Sequence, residues 1–287
     1  MTDPVLPSEP TAADRPMVSV VVPVKDSIRT IEACLRSIRA QTWEPLELVV
    51  IDNFSTDGTW EVVQELATHA EQAGPERSAQ RNLGVERAQG PWILWIDADM
   101  ELPPTIIERA MQAVADEEAD GVFIPEVTVG DGYWTACRAL ERSCCVEEIL
   151  VQSPRLVRRE YLRDSGGFLE SPSGTEDAEL RSRMIHDGCQ LAWIPDLIVH
   201  DEGRMSLGFI WSKRYYYGRG LKKYRAQHPG ALSEQAGSAV GAYRRHWRRL
   251  AARPAVAAGG VFMRAGEFAA YGIGAALGAL ERPDGSS

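Results

Sequence analysis

An α/β fold with a mostly parallel sheet is predicted by three features of this sequence. Short β-branched and aromatic runs alternate with stretches of helical periodicity from Val18 to about Pro125, the pattern of strand–helix–strand units with helices on both faces of a sheet. The early runs end in polar clusters, at Lys25–Asp26, Asp52–Asn53 and Asp97–Asp99, and ligands of such sheets bind beyond the carboxyl ends of the strands. The chain has 287 residues, 44% hydrophobic and 25% charged, enough for one large domain with an appendage.

The elements follow in order. Val18 to Val22 (VSVVV) reads as a buried strand stopped by Pro23. Ile28, Ile31, Leu35 and Ile38 then recur at helical spacing. Leu46 to Ile51 is a second strand, ended by Asp52 and the turn-rich NFSTDGT. In that turn Ser55 or Thr56 is placed to cap a helix starting near Thr59, with Val62, Val63 and Leu66 on its apolar face. After a turn at Gly74–Pro75 come a helix from about Ser78 to Ala88 and the strand Trp92 to Ile96. Ile106 to Ala115 is helical, and Gly121 to Pro125 is a further strand.

Beyond Gly130 the pattern loosens. Ser165–Phe168 is a turn, and a helix with Leu180 and Met184 on one side starts near Thr175, its expected N-cap. Leu191–Ile194 and Leu197–Val199 are short strands, the second delivering His200 and Asp201. A long helix is expected from Leu207 to about Tyr224, a break at Pro229–Gly230, and helices over Ser238–Ala252 and Ala255–Leu280. The expected organisation is a disordered leader over 1–15, a main domain over 16–228 and a C-terminal basic and apolar extension over 229–287.

The formal net charge of −10 argues against a general nucleic-acid binder. Charge is unevenly spread: from Lys213 to Arg253 the only acid among many bases is Glu234. The five cysteines include an adjacent pair and show no zinc spacing, as expected of free thiols in a reducing compartment. The first residues lack a basic stretch followed by an apolar core and do not read as a secretory signal. No GxGxxG follows the first strand and no GxxxxGK[ST] occurs, which disfavours dinucleotide and P-loop chemistry.

The chemistry concentrates at WILWIDADMEL, Trp92 to Leu102. An apolar strand runs into two carboxylates, and a close like-charged pair is costly unless something compensates. Two carboxylates on one rim can hold a hard divalent cation, which can clamp a diphosphate.

VSVVVPVKDS (18–27), IDNFSTDGT (51–59), RNLGVERAQG (81–90), WILWIDAD (92–99), SGGF (165–168) and TEDAELRSRM (175–184) stand in the order and at roughly the spacing of the family 2 glycosyltransferases. The chain resembles that family from Val18 to Asp201, and more loosely to about Tyr224. The resemblance implies the GT-A fold, a Rossmann-like nucleotide-diphospho-sugar transferase fold, and inverting hexosyl transfer from a nucleotide sugar, UDP-linked by expectation. It implies that Pro23 and Val24 lie under the base and that Asp52 accepts a hydrogen bond from it. Asn53 stands where the family usually has a second Asp, and Lys25 where many members have Tyr or Asn. Arg81 is expected near base and ribose, Asp97 on the ribose, Ala98 between the acids of this DXD-like motif, and Asp99 with His200 on Mn2+ or Mg2+. Asp177 resembles the catalytic base, with Glu176 orienting the acceptor or its loop. Arg214 and Arg219 are expected near the departing diphosphate.

The acceptor is expected among lipid-linked phosphates, polysaccharides and small metabolites, its pocket within residues 127–174. RRHWRR (244–249) and the apolar stretch to Leu280 suit peripheral contact with an anionic bilayer, consistent with a cytoplasmic protein at the inner face of the plasma membrane; packing on the protein or a homodimer contact is the alternative. A nucleotide-sugar-binding pseudoenzyme is the competing function, and the intact acid pairs argue against it.

Overall fold

Every residue of β1 (Val18–Val24) is buried, as in a central strand covered on both faces. In the computed structural model, which describes residues 15–170, 174–219 and 231–280, β1 runs parallel to β2 (Leu46–Asp52) on one side and β4 (Trp92–Trp95) on the other. Most of the expected leader, the break at Pro229–Gly230 and the helix end at Tyr224 lie outside the described residues.

Pro23 does not stop β1: the pairing with β2 continues through Pro23 and Val24. The reason is local. Val24 O accepts from Asn53 N on the β2 side, so the amide-less nitrogen of Pro23 faces the opposite side. There β4 has already ended, its last partner being Val21. The missing donor is therefore not missed.

The other strands are β3 (His69–Gln72), β5 (Met100–Glu101), β6 (Gly121–Phe123), β7 (Glu126–Val129), β8 (Pro154–Arg158), β9 (Leu191–Trp193) and β10 (Ile198–Asp201). The main sheet has seven strands in the order β3-β2-β1-β4-β8-β6-β9, and only β8 runs against its neighbours. A second sheet, β5-β10-β7, sits beyond the end of β4. Strand β3 was not anticipated: HAEQ has no apolar alternation and none of its residues is fully buried, as suits an edge strand.

Helices α1 (Ile31–Arg39), α2 (Thr59–Leu66) and α4 (Ile106–Glu117) cover one face, burying Leu35, Ile38, Val63 and Met111 against Val20, Val22 and Leu94. On the other face α3 (Arg77–Arg87), α6 (Arg159–Asp164) and α7 (Glu176–His186) bury Val85, Leu162, Leu180 and Met184 against Val21, Ile93 and Trp95. Neither Ser55 nor Thr56 caps α2; Asp57 accepts from the Thr59 amide at 3.1 Å, while Ser55 binds Asp52. Thr175 does stand at the N-cap of α7, without a side-chain capping bond.

The remaining helices are α5 (Tyr133–Cys144) in the middle of the chain and, toward its C-terminus, α8 (Leu207–Gly218), α9 (Ala231–Arg245), α10 (Trp247–Ala251) and α11 (Pro254–Leu280). The last is one helix of 27 residues, and it packs along α8 and α5. No helix among the described residues is long and apolar enough to cross a membrane. All five cysteines are free.

Candidate active site

Parallel strands β2, β1 and β4 all end at one rim, which places Asp52, Pro23 and Asp97 there. At this rim opens a cavity of about 610 Å3 whose lining includes Pro23, Asp97, Ala98, Asp99, Asp177, His200 and Arg214. The small sheet brings the histidine in. Strand β10 pairs antiparallel with β5, His200 opposite Met100, and Asp201 N donates to Asp99 O at 2.8 Å.

Asp97 is held by two arginines of α3. Arg81 Nη2 donates to its Oδ1 at 2.7 Å, and Arg77 lies 3.8 Å from its Oδ2. The two arginines are four apart and so share a helix face. Burial penalises the Asp97 charge, but Arg81, Arg77 and Arg155 outweigh it and hold the carboxyl far below the usual range. Arg81 is completely buried, its guanidinium 4.2 Å from the centre of the Trp95 ring and 5.4 Å from that of Phe168. Its other terminal nitrogen donates to Asp177 Oδ1 at 3.0 Å. One guanidinium thus links the acid after β4 to the acid at the start of α7.

Asp177 faces the cavity, with Ser153 Oγ donating to Oδ2 at 3.3 Å. Its neighbour Glu176 turns inward onto Arg77. Burial opposes its charge, but Arg77 and Arg81 hold Glu176 below the ordinary carboxylate value.

His200 Nδ1 faces Glu126 at 2.9 Å and Arg142 at 3.0 Å. One ring nitrogen cannot donate to the first and accept from the second, and the carboxylate is the stronger partner. Nδ1–H therefore belongs to Glu126, leaving Nε2 toward Asp99 Oδ1 at 3.3 Å. Burial disfavours the imidazolium, yet hydrogen bonds to Asp99 and Glu126 push His200 up to about 9. Asp99 Oδ1 is itself buried without a hydrogen bond of normal geometry.

Among the described residues no group of three or more His, Cys, Asp or Glu could hold a metal alone. The donor set still fits a substrate-shared ion. Mg2+-type sites use one or two protein ligands and complete the shell with phosphate oxygens and water. A histidine whose far nitrogen is fixed by a carboxylate is the usual second-sphere arrangement of a metal ligand.

Of the other expected residues, Arg214 lines the cavity, whereas Val24, Lys25, Asp52 and Arg219 do not. Asp52 is fully buried, accepting from Ser55 N at 3.0 Å and Gln72 Nε2 at 2.8 Å, the role of a turn aspartate. Lys25 donates to Asn53 O at 2.9 Å, on the loop beside the cavity. Val24 is buried at the end of β1. Arg214 reaches the cavity wall paired to Glu267 at 3.0 Å, whereas Arg219 sits at the C-cap of α8 with its backbone close to Gly278 of α11. Arg77, Glu126, Ser153 and Arg155 were not anticipated. Only Arg77 had a usable signal, its four-residue spacing from Arg81.

The family model described as Glycosyl transferase family 2 matches residues 19–166. Among curated proteins, the chain is 31% identical over 109 residues to "Uncharacterized glycosyltransferase YibD" of Escherichia coli K12, covering 36% of this chain and 32% of that one. It is 26% identical over 224 residues to "Glycosyltransferase AglE" of Haloferax volcanii, covering 71% of this chain and 73% of the relative. The match thus spans about a third of the first relative and nearly three quarters of the second. Among solved structures, the mannosyltransferase PcManGT from Pyrobaculum calidifontis, in complex with GDP-Man and Mn2+, aligns with a TM-score of 0.58 at 24% identity, over 96% of this chain and 84% of that one. S. aureus TarS 1–349 in complex with UDP-GlcNAc aligns with a TM-score of 0.54 at 17% identity, over 92% of each chain. At these identities the structural likeness establishes the fold.

Proposed function

The chain belongs to glycosyl transferase family 2 and has the GT-A fold, and from that premise we propose that it transfers a sugar from a nucleoside diphosphate donor, UDP-linked by preference, to an acceptor hydroxyl or phosphate with inversion. The observation that carries this reading is the Asp97–Arg81–Asp177 chain at the cavity. One buried guanidinium holds two acids of the cavity wall side by side, one to meet the donor ribose and one to meet the acceptor in this reading.

In this reading Asp97 accepts from the ribose hydroxyls. Asp99 and His200 would hold Mn2+ or Mg2+, which when bound supplies positive charge beside the leaving diphosphate. Asp177 takes the proton from the acceptor as its oxygen attacks the anomeric carbon. Arg81 and Ser153 occupy one position on each of its oxygens, and a carboxylate retains further lone pairs. Glu176 anchors Arg77 rather than touching the acceptor. Arg214, on the cavity wall, would supply positive charge to the departing diphosphate.

Calorimetric titration with UDP and with GDP, with and without Mn2+, beside Asp99→Ala, tests the donor site. Metal-dependent binding lost in the variant is expected; metal-independent binding, or none, would overturn the assignment. The engagement of both Asp177 oxygens favours one competing reading, a nucleotide-sugar-binding module without chemistry. Donor binding without hydrolysis or transfer across a panel of UDP- and GDP-sugars would select it.

A further inference from the structure

Helix α11 is built inside out for a surface helix. Its charged residues, Arg264 and Glu267, face the protein. Glu267 Oε1 accepts from Arg138 at 2.6 Å and Arg214 at 3.0 Å, and Arg264 binds Glu141 and Glu267. Its solvent side carries no polar side chain at all among the described positions. Val261, Phe262, Phe268, Ile273, Leu277 and Leu280 are exposed there, Val261 to 73% and Phe268 to 70%, and the exposed residues between them are Ala and Gly. The exposed positions recur every three or four residues along the whole helix, so they form one continuous stripe. A stripe of this kind on a water-facing helix marks a surface that something apolar covers.

The junction of the neighbouring helices α9 and α10 says what covers it. In Arg244–Arg249 the four arginines and Trp247 are all exposed, Trp247 to 59%. Of these arginines only Arg245 has an acidic partner, Glu148, among the described residues. A local basic cluster on a chain of net charge −10 needs an anionic counterpart. A bilayer supplies both, an apolar layer and anionic headgroups, with tryptophan at the boundary between them.

We propose that the outer stripe of α11 and the basic run at the α9–α10 junction seat this protein on an anionic lipid bilayer, with α11 lying in the plane of the interface. The inference is independent of the activity proposed above. It has a geometric consequence: Arg264 and Glu267 line the cavity from the opposite side of the same helix. One helix diameter, about 10 Å, then separates the cavity from lipid.

The test is flotation of the full chain with phosphatidylcholine vesicles, with and without phosphatidylglycerol. The native protein is expected to float with the anionic vesicles only, and less so as salt rises. Val261→Ser/Phe268→Ser removes apolar stripe residues and Arg244→Glu/Arg248→Glu reverses the cluster; each is expected to weaken binding about tenfold or more. Circular dichroism melts check folding, and should the first variant not fold, the charge reversal alone decides. No flotation of the native chain, or unchanged flotation of the folded variants, overturns the proposal. So does a native dimer in light scattering that Val261→Ser/Phe268→Ser converts to monomer, since the stripe would then belong to a second copy.

Discussion

Arg81 and Asp97 meet at 2.7 Å at the base of the cavity, the arginine fully buried and the acid at its edge. The same guanidinium holds Asp177 at 3.0 Å. The two acids are therefore not independent: their separation is set by one rigid, planar group stacked on Trp95.

Truncating that group should be costly. Arg81→Ala leaves Asp97 enclosed with only Arg77 in contact, and breaking a buried ion pair costs about 3–5 kcal/mol. Denaturant melts should show a loss near the lower end, because the Asp97 side chain keeps 19% exposure. Arg81→Lys should recover little, since an ammonium cannot serve both acids in one plane. A melt unchanged within about 0.5 kcal/mol, the scale of an ordinary surface substitution, would show the pair to be energetically idle.

Asp177→Asn keeps the shape of the side chain and removes the carboxylate proposed as the base. Turnover should fall by roughly 10²–10⁴-fold while calorimetric affinity for the nucleotide stays within a few fold. Ser153→Ala, which removes only one contact on the Asp177 carboxylate, should leave most of the rate. Equal losses in the two variants would assign both residues to positioning.

Glu126→Gln tests the orientation of His200. The carboxylate fixes Nδ1–H at 2.9 Å, and loss of such an orienting partner lowers metal affinity roughly 10–100-fold. Titrating Mn2+ into the protein with saturating UDP reads this directly. Unchanged affinity would mean that Glu126 serves only to neutralise Arg142 and Arg155.

Helices α8 and α11 touch through glycine. A Cβ on Gly274 would overlap the Tyr215 carbonyl oxygen, whereas one on Gly272 meets nothing within 4 Å. Gly274→Ala should destabilise by about 1–3 kcal/mol through overpacking. Gly272→Ala, two residues away, should stabilise by about 0.5–1 kcal/mol through helix propensity. Thermal melts of the two variants should shift in opposite directions.

Acid should loosen the docking of α11 only at low pH. Burial opposes the Glu267 charge, but Arg264, Arg138 and Arg214 hold its carboxyl down at about 2, below the ordinary 4.5. A depressed folded-state value means that this carboxylate's stabilisation is complete above about 4.5, declines below it, and is gone below about 2. The stability gap between the native chain and Glu267→Gln should be flat at neutral pH and shrink as pH falls below 4.5. A gap that closes already near pH 6 would place the titration elsewhere.

The sequence by itself determined the order of the early elements apart from β3, and with it the rim at which Pro23, Asp97 and Asp99 stand. Its information there is local: apolar runs mark buried strands, and the residues that follow a strand must be at its end. It also marked Asp177 and His200, though only through likeness to a family. The tertiary structure decided what these groups touch. Arg77 meets Glu176 across 99 positions of sequence, Arg81 meets Asp177 across 96, and Glu126 meets His200 across 74. No periodicity spans such intervals. The same holds for Asp52, which a turn claims, and for α11, whose composition does not say which side faces water. Arg138, Glu141 and Arg214, brought up by α5 and α8, draw Arg264 and Glu267 inward. A buried charge must be paired, and that pairing turned the apolar face out.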